Sequence, residues 1–371
     1  MIELLYPKDG ARLSVLSDKQ REFIYHQEQG YHTDISVSYK WLDEKYADSF
    51  VGTYVDNPDS ENYTIGLYNE FGWKSDVPCR LELTRKSKQI YPNDPAEWDV
   101  LPEKIRDGVS IALVGNLFAR TEYSWRVVSV DGSQMSQERS FTTMAESPRA
   151  ICAQGTSNMR DIGALQRWDG TWLRQGCIYR GACLESELEH YHKLTEKGKT
   201  VLKDQIKIKT ELDLRSQAVG KISSSTIGDG VKYILLPCSP YGDFYKEENR
   251  HICKELVEIL ADEDNYPIHV HCMAGADRTG TLVMLLGMIL GVKFENLVLD
   301  YNLTALMVHC QRCMHNVIAD TDYALFIDGW DGNGDPAPIV MENVKRFLTE
   351  KCGVSEEMVE RMKRNLIESY A

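Results

Sequence analysis

The sequence predicts two domains: an all-β sandwich over residues 1–147 and an α/β domain, with a central sheet flanked by helices, over residues 148–371. Three observations lead to this prediction. A chain of 371 residues is long for one compact domain. The first part contains short alternating stretches separated by turn residues. Beyond the linker-like residues 144–149, apolar strand-like runs alternate with helical patterns.

The N-terminal strands are indicated by apolar residues at every second position. Tyr123, Trp125 and Val127 fall on one face of such a strand. Several short strands with turns between them predict a β-sandwich. The stretch 116–143 resembles the last two strands of a fibronectin type III domain. That resemblance implies an immunoglobulin-like accessory domain, and its expected partner is a protein or a glycan.

The C-terminal elements follow in order along the chain. Helical spacing covers residues 186–202, a strand-like run covers 206–214 and a shorter one covers 233–237. A long amphipathic helix is predicted over 244–260, followed by a buried strand over 267–271 and a helix from Thr279. Two more helices are predicted over 340–347 and 355–367, the second with Ser355 as its N-cap.

Composition limits the possible partners and compartments. The net charge of −14 argues against binding to nucleic acid or to an anionic membrane. The most apolar run, residues 282–292, is far shorter than the ~20 residues needed to cross a bilayer, so no transmembrane segment is expected. Ten irregularly spaced cysteines favour reduced thiols and the cytoplasm. A secreted or cell-surface location stays open if a signal peptide was removed.

One segment carries the chemistry, the run His-Cys-Met-Ala-Gly-Ala-Asp-Arg-Thr-Gly at positions 271–280. It leads from a strand end into a helix N-terminus. If it curls around one point, its amides and the helix dipole create an anion site, and Arg278 adds a fork of donors matched to phosphate. The expected phosphate-binding residues are Met273, Ala274, Gly275, Ala276, Asp277 and Arg278.

The same positive field acts on Cys272. Helix N-termini and nearby cations lower the pKa of a thiol, so Cys272 is expected to be a thiolate at neutral pH. It would attack phosphorus and form a phosphocysteine intermediate, with Arg278 holding the oxygens. Thr279 would hydrogen-bond the departing thiolate, and His271 would fix the thiolate from beneath. The prediction is a phosphomonoester hydrolase that requires no metal or cofactor.

At this segment the chain resembles the protein tyrosine phosphatases, whose signature is Cys-x5-Arg. The loop is most similar to that of a branch, including bacterial dual tyrosine and phosphoinositide phosphatases, with His-Cys-x-Ala-Gly-Lys-Asp-Arg-Thr-Gly. Residues 157–163, 178–181 and 212–216 resemble three further motifs of that branch. They imply supporting roles for Arg160, Asp161, Arg180 and Arg215. The family's Lys is Ala276 here, which argues against a polyphosphorylated lipid substrate.

The general acid has three candidates. Asp277 lies inside the loop, where a carboxylate beside phosphate is costly unless it serves as the acid. Phosphoinositide phosphatases of the myotubularin type resemble this arrangement. Asp243, 29 residues before Cys272, resembles the acid of dual-specificity phosphatases but also suits a helix N-cap, and Asp213 ends a strand.

The sequence leaves alternatives open for both the substrate and the type of protein. Phosphotyrosine is the first substrate expected, and a phosphoinositide or inositol phosphate is the alternative. A catalytically silent phospho-binding adaptor is the alternative from another class.

Overall fold

The structure, a computed structural model, describes residues 1–26, 66–86, 97–185, 193–216, 223–306 and 322–368. The first half of the helix predicted over 186–202 lies outside these residues. Among the described helices, none is both long and apolar enough to cross a membrane. The eight described cysteines are all free thiols.

The described residues of the N-terminal region form two β-sheets. One has the order β1-β3-β7-β6 and is antiparallel, and the other has the order β2-β9-β8-β4-β5, with β2 and β9 parallel. The strands are β1 Glu3–Tyr6, β2 Ala11–Leu13, β3 Asn69–Lys74, β4 Cys79–Arg85, β5 Glu97–Val100, β6 Lys104–Arg106, β7 Val109–Val114, β8 Glu122–Ser129 and β9 Arg139–Thr143.

The two sheets enclose one apolar core. Phe71 of β3 meets Trp125 of β8 edge-on, with ring centroids 5.1 Å apart, and Tyr123 stacks on Phe141 at 5.0 Å. Tyr123, Trp125 and Val127 are each at most 1% exposed, which confirms that this alternation marks a buried strand face. The expectation of an all-β region is wrong in one respect, because helix α1 (Asp18–His26) follows β2.

In the part of the C-terminal region that the structure describes, five strands form a sheet of order β10-β11-β14-β12-β13. The pair β10–β11 is antiparallel and the other three pairs are parallel. Its strands are β10 Arg160–Asp161, β11 Ile178–Gly181, β12 Thr210–Asp213, β13 Lys232–Leu235 and β14 Ile268–His271. The middle strand, β14, is buried along its whole length and its carboxyl end leads into residues 272–278.

The described helices of this region are α2 Glu196–Thr200, α3 Arg250–Ala261, α4 Asp277–Ile289, α5 Phe294–Asn302, α6 Ala337–Arg346 and α7 Glu356–Leu366. The N-cap predicted for the last one is confirmed, since the Ser355 side chain accepts from the Met358 amide. The long helix predicted over 244–260 is wrong in its first half. Two 3₁₀ helices, Tyr241–Tyr245 and Glu247–Asn249, precede α3, because Lys246 is extended and interrupts the helical path.

Hydrogen bonds to main chain join the two regions. The Gln175 side chain accepts from the Ala119 amide at 2.7 Å and donates to the Ala119 carbonyl at 2.9 Å. Asn116 makes the same kind of paired contact with the backbone of Cys152, at 2.8 and 3.2 Å. Arg149 donates to the Asn116 carbonyl at 2.8 Å. Gln175, Arg149 and the backbone of Cys152 are thus joined to the sandwich by hydrogen bonds.

Candidate active site

The segment between β14 and α4, residues 272–278, forms a tight loop that we call the phosphate loop. Cys272 is only 2% exposed, whereas Met273, Ala274, Asp277 and Arg278 are partly exposed. Gly275 has a φ of +67°, and a Cβ there would lie 2.2 Å from the Gly181 carbonyl oxygen. Only glycine fits this position, because its backbone is left-handed and the neighbouring strand is too close for a side chain.

The carbonyl oxygens of the phosphate loop are held from outside. Asn158 donates its side-chain amide to the carbonyls of Ala274 and Gly275, each at 3.1 Å. Arg180 donates to the Gly275 carbonyl at 2.6 Å, and the Cys183 amide donates to the Met273 carbonyl at 3.0 Å. With its carbonyls engaged on the outside, the loop directs the Gly275 amide to the Cys272 sulfur.

A buried carboxylate, Asp300 of α5, anchors these contacts. It pairs with Arg160 at 2.7 Å and with Arg180, and its own carbonyl accepts from Arg160 at 2.6 Å. Burial would raise the pKa of Asp300, but the two guanidinium groups hold it below the usual range. Sequence reasoning missed Asp300 and the role of Asn158. The available signal for Asp300 was an acidic residue directly after the apolar run 297–299.

The thiol of Cys272 is activated by groups of its own loop. Burial alone would raise its pKa, but the nearby hydroxyl and amide of Thr279, the charge of Arg278 and the Gly275 amide together lower it. The Arg278 guanidinium makes no ion pair or hydrogen bond with another residue in the described ranges. The loop therefore combines an activated sulfur with a guanidinium that is free to bind an anion.

His271 lies beneath the loop, but it contacts the backbone of Cys272 rather than the sulfur. Its Nδ1 is 3.1 Å from the Cys272 carbonyl oxygen and its Nε2 is 3.0 Å from Glu211. Burial lowers the pKa of His271, but Glu211 outweighs this and the pKa rises to about 9. The ring of His269 stacks on it at 5.1 Å, and burial lowers the pKa of His269 to about 3.

Three side chains of this layer, those of Glu211, His269 and His271, bring possible metal ligands within 4.8 Å of one another. Their arrangement does not favour a metal. Glu211 is already hydrogen-bonded to His271, and the two imidazole planes lie at 17°, so their lone pairs do not converge as a tetrahedral ion requires. The geometry is that of a stacked, hydrogen-bonded layer under the nucleophile.

The three candidate acids occupy different surroundings. Asp277 lies in the phosphate loop, where its Oδ1 accepts a hydrogen bond from the Tyr241 hydroxyl. The Asp243 side chain is 61% exposed and pairs with Lys246 at 2.5 Å, so neither the acid role nor the N-cap expected for it is supported.

Asp213 is the third candidate, and it is fully buried. It is bound by Arg215 at 2.6 Å and by the Tyr233 hydroxyl at 2.8 Å. Burial would raise the pKa of Asp213, but the Arg215 hydrogen bond and nearby charges lower it. The contact with Arg215 favours the ionised carboxylate, which opposes a role for Asp213 as the proton donor.

Two of the expected supporting residues serve neighbouring loops instead. Asp161 binds Arg149 and the amides of Gly163 and Gly176, each at 2.8 Å. Arg215 binds Asp213 and Glu185. Neither Asp161 nor Arg215 makes a described hydrogen bond to the phosphate loop, because each is already paired with a charged residue outside it. Arg160 and Arg180 do support the loop, the first through Asp300 and Asn158.

Comparisons with known proteins gave a family match over part of the chain and a match among solved structures. Residues 151–327 match a family described as a tyrosine phosphatase family. Among solved structures, one match is the core catalytic domain of the PP-IP phosphatase SIW14 from S. cerevisiae, in complex with citrate. It has 20% identity and a TM-score of 0.26, covering 39% of this chain and 80% of that chain. No curated protein matches the chain.

Proposed function

We propose that this chain, whose residues 151–327 match a tyrosine phosphatase family, hydrolyses phosphomonoesters through a phosphocysteine intermediate on Cys272. One observation carries the proposal: the phosphate loop both lowers the pKa of the Cys272 thiol and presents Arg278 without a partner among the described residues. A structural cysteine needs neither feature. A nucleophile that attacks a bound phosphate needs both.

In the first step the Cys272 thiolate forms a bond to phosphorus while the bond between phosphorus and the leaving oxygen breaks. The guanidinium of Arg278 and the amides of residues 273–278 bind the three equatorial oxygens, on which charge is spread. Asp277 gives its proton to the leaving oxygen, so the product departs as an alcohol or phenol.

In the second step water attacks phosphorus and the sulfur–phosphorus bond breaks. Asp277, now a carboxylate, accepts a proton from that water, which restores the starting protonation state. The Thr279 hydroxyl, which lowers the pKa of Cys272, stabilises the departing thiolate. His271 holds the Cys272 carbonyl and so keeps the loop in place during both steps.

Phosphotyrosine in a protein is the substrate that we favour. Ala276, fully buried, stands where the similar branch has a lysine, so the phosphate loop has Arg278 as its one cation. That charge suits a single phosphate group. An inositol phosphate or a phosphoinositide is the second candidate, because Asp277 lies inside the loop as in phosphoinositide phosphatases of the myotubularin type.

We further propose that residues 1–147 form an accessory domain of the immunoglobulin or fibronectin type III kind, and residues 148–371 the catalytic domain. Two observations support this assignment. The strand order β1-β3-β7-β6 opposite β9-β8-β4 corresponds to the ABED and GFC sheets of such sandwiches. The Tyr123 hydroxyl accepts from the Phe118 amide at 2.9 Å, as a tyrosine corner does.

A protein or a glycan is the proposed partner of the accessory domain. The cytoplasm is the proposed compartment, since reduced thiols suit it.

The test is turnover of phosphotyrosine peptides, phosphoinositides and inositol phosphates in the presence of a chelator. Cys272→Ser is expected to abolish turnover while it preserves binding of the substrate. Cys238→Ser is the matched control, since it makes the same change at a cysteine with a raised pKa. Full activity of Cys272→Ser would refute the proposal, and binding without turnover by the wild type would favour a silent adaptor.

A further inference from the structure

Tyr241 reaches the active site from outside the phosphate loop. It begins the 3₁₀ helix Tyr241–Tyr245 with a φ of +57°, a conformation that is uncommon for a residue with a side chain. Its amide donates to the Thr281 hydroxyl at 2.7 Å, which ties this turn to the first turn of α4. Strained backbone of this kind persists where surrounding contacts impose it, and it often marks functional positions.

The hydroxyl of Tyr241 lies between two polar groups. It donates to Asp277 Oδ1 and is 3.0 Å from the Tyr301 hydroxyl. The Tyr301 ring packs against Gly280, where a Cβ would come within 2.9 Å of the ring. Burial, Tyr301 and Asp277 raise the pKa of Tyr241, so Tyr241 keeps its proton and acts as a donor. The two tyrosines and Asp277 therefore form a line of hydrogen-bonded groups that ends in the phosphate loop.

We propose that Tyr241 is the positioning residue of Asp277: by binding Oδ1 it fixes the orientation of the carboxyl group that exchanges the proton with the leaving oxygen and later with water. This inference rests on the proposed function. In the first step the O–H bond of the Asp277 carboxyl group breaks as the leaving oxygen gains the proton, and in the second step the carboxylate regains a proton from the attacking water. Tyr241 keeps its own proton throughout.

The proposal is tested by the dependence of rate on the leaving group. Protonation matters for a poor leaving group such as the phenol of phosphotyrosine, and it matters little for an activated one such as 2,4-dinitrophenol. Asp277→Asn is expected to lower kcat for the phosphotyrosine peptide by roughly 10²–10⁴-fold. Tyr241→Phe is expected to lower it by roughly 10–100-fold, since the acid remains but is misplaced. Both variants should keep most of the rate on the dinitrophenyl ester.

The matched control is Tyr245→Phe, which removes one hydroxyl from the same 3₁₀ helix without touching Asp277. It should retain the wild-type ratio of the two rates. Tyr301→Phe removes the second contact of Tyr241 and should reduce the ratio less than Tyr241→Phe does.

An equal loss on both substrates in Tyr241→Phe would overturn the proposal, because it would indicate a structural role. An unchanged ratio would overturn it too. Failure of the proposed function itself would look different, since Cys272→Ser would then retain activity on both substrates.

Discussion

Replacement of Gly275 by alanine tests whether the shape of the phosphate loop makes it an anion site. The new Cβ would lie 2.2 Å from the Gly181 carbonyl oxygen, about 1.2 Å short of ordinary contact at 3.4 Å. Neither side of this contact is a flexible side chain, so the backbone of the loop must move by about that distance. A displacement near 1 Å at reacting groups costs about 10²-fold in rate, or about 2.7 kcal/mol of transition-state stabilisation.

The strain of a left-handed alanine must be separated from this displacement. Gly353 has a φ of +70° with nothing within 4 Å of its expected Cβ, so Gly353→Ala has the backbone strain without the clash. That strain alone costs about 1–2 kcal/mol of stability in either variant. Urea denaturation gives the stability of each variant, and kcat/KM for a phosphotyrosine peptide gives the catalytic effect.

We expect Gly275→Ala to lose about 10²-fold in kcat/KM and Gly353→Ala to keep the wild-type value. Equal kcat/KM in the two variants, measured where both are folded, would refute the reasoning. It would mean that the loop does not need its close approach to β11 to bind phosphate.

Three further predictions concern the layers around the loop. Asp300→Asn leaves two buried guanidinium groups without their counter-charge and should lower the free energy of unfolding by about 3–5 kcal/mol, measured in urea. Glu211 raises the pKa of His271 to about 9 against the effect of burial, so His271 stabilises the fold fully below about pH 6.5 and loses this effect as the pH rises to 9. Burial lowers the pKa of His269 to about 3, so His269 destabilises the fold as the pH falls below 6.5. The contribution of the two histidines to the free energy of unfolding should therefore be largest near pH 6.5. Urea titrations at about pH 5, 6.5 and 9 measure it, and a stability that rose steadily with pH would contradict the prediction. Iodoacetamide at about pH 7 should alkylate Cys272 and spare Cys238, because burial raises the pKa of Cys238 to about 12. Peptide mapping by mass spectrometry identifies the labelled cysteine. Preferential labelling of Cys238 would contradict a lowered pKa for Cys272.

Local features of the sequence predicted much of the site. The strand, loop and helix around Cys272 follow from a short apolar run, small residues and a helix start within about ten positions. The segment with Arg180 resembled a family motif, and its arginine does hold the Gly275 carbonyl. These predictions succeed because each depends on residues that are neighbours in the chain.

Contacts between distant segments escaped prediction. Asp300 meets Arg160 and Arg180 across 140 and 120 residues, and no local pattern encodes such a meeting. Tyr241 meets Asp277 across 36 residues, from a 3₁₀ turn that begins before the predicted helix. Helix α1 was missed because its sequence is strongly polar.

The bonds between Gln175 and Ala119 bear on how the chain can be divided. A fragment that starts at residue 148 would retain the whole phosphate loop, yet it would lose both backbone partners of the Gln175 amide and the acceptor of Arg149 at Asn116. Deleting the sandwich would open these groups to water, so each lost bond would cost only its net contribution of about 0.5–1.5 kcal/mol. A fragment that starts at residue 148 is therefore expected to be less stable than the full chain by the sum of these bonds.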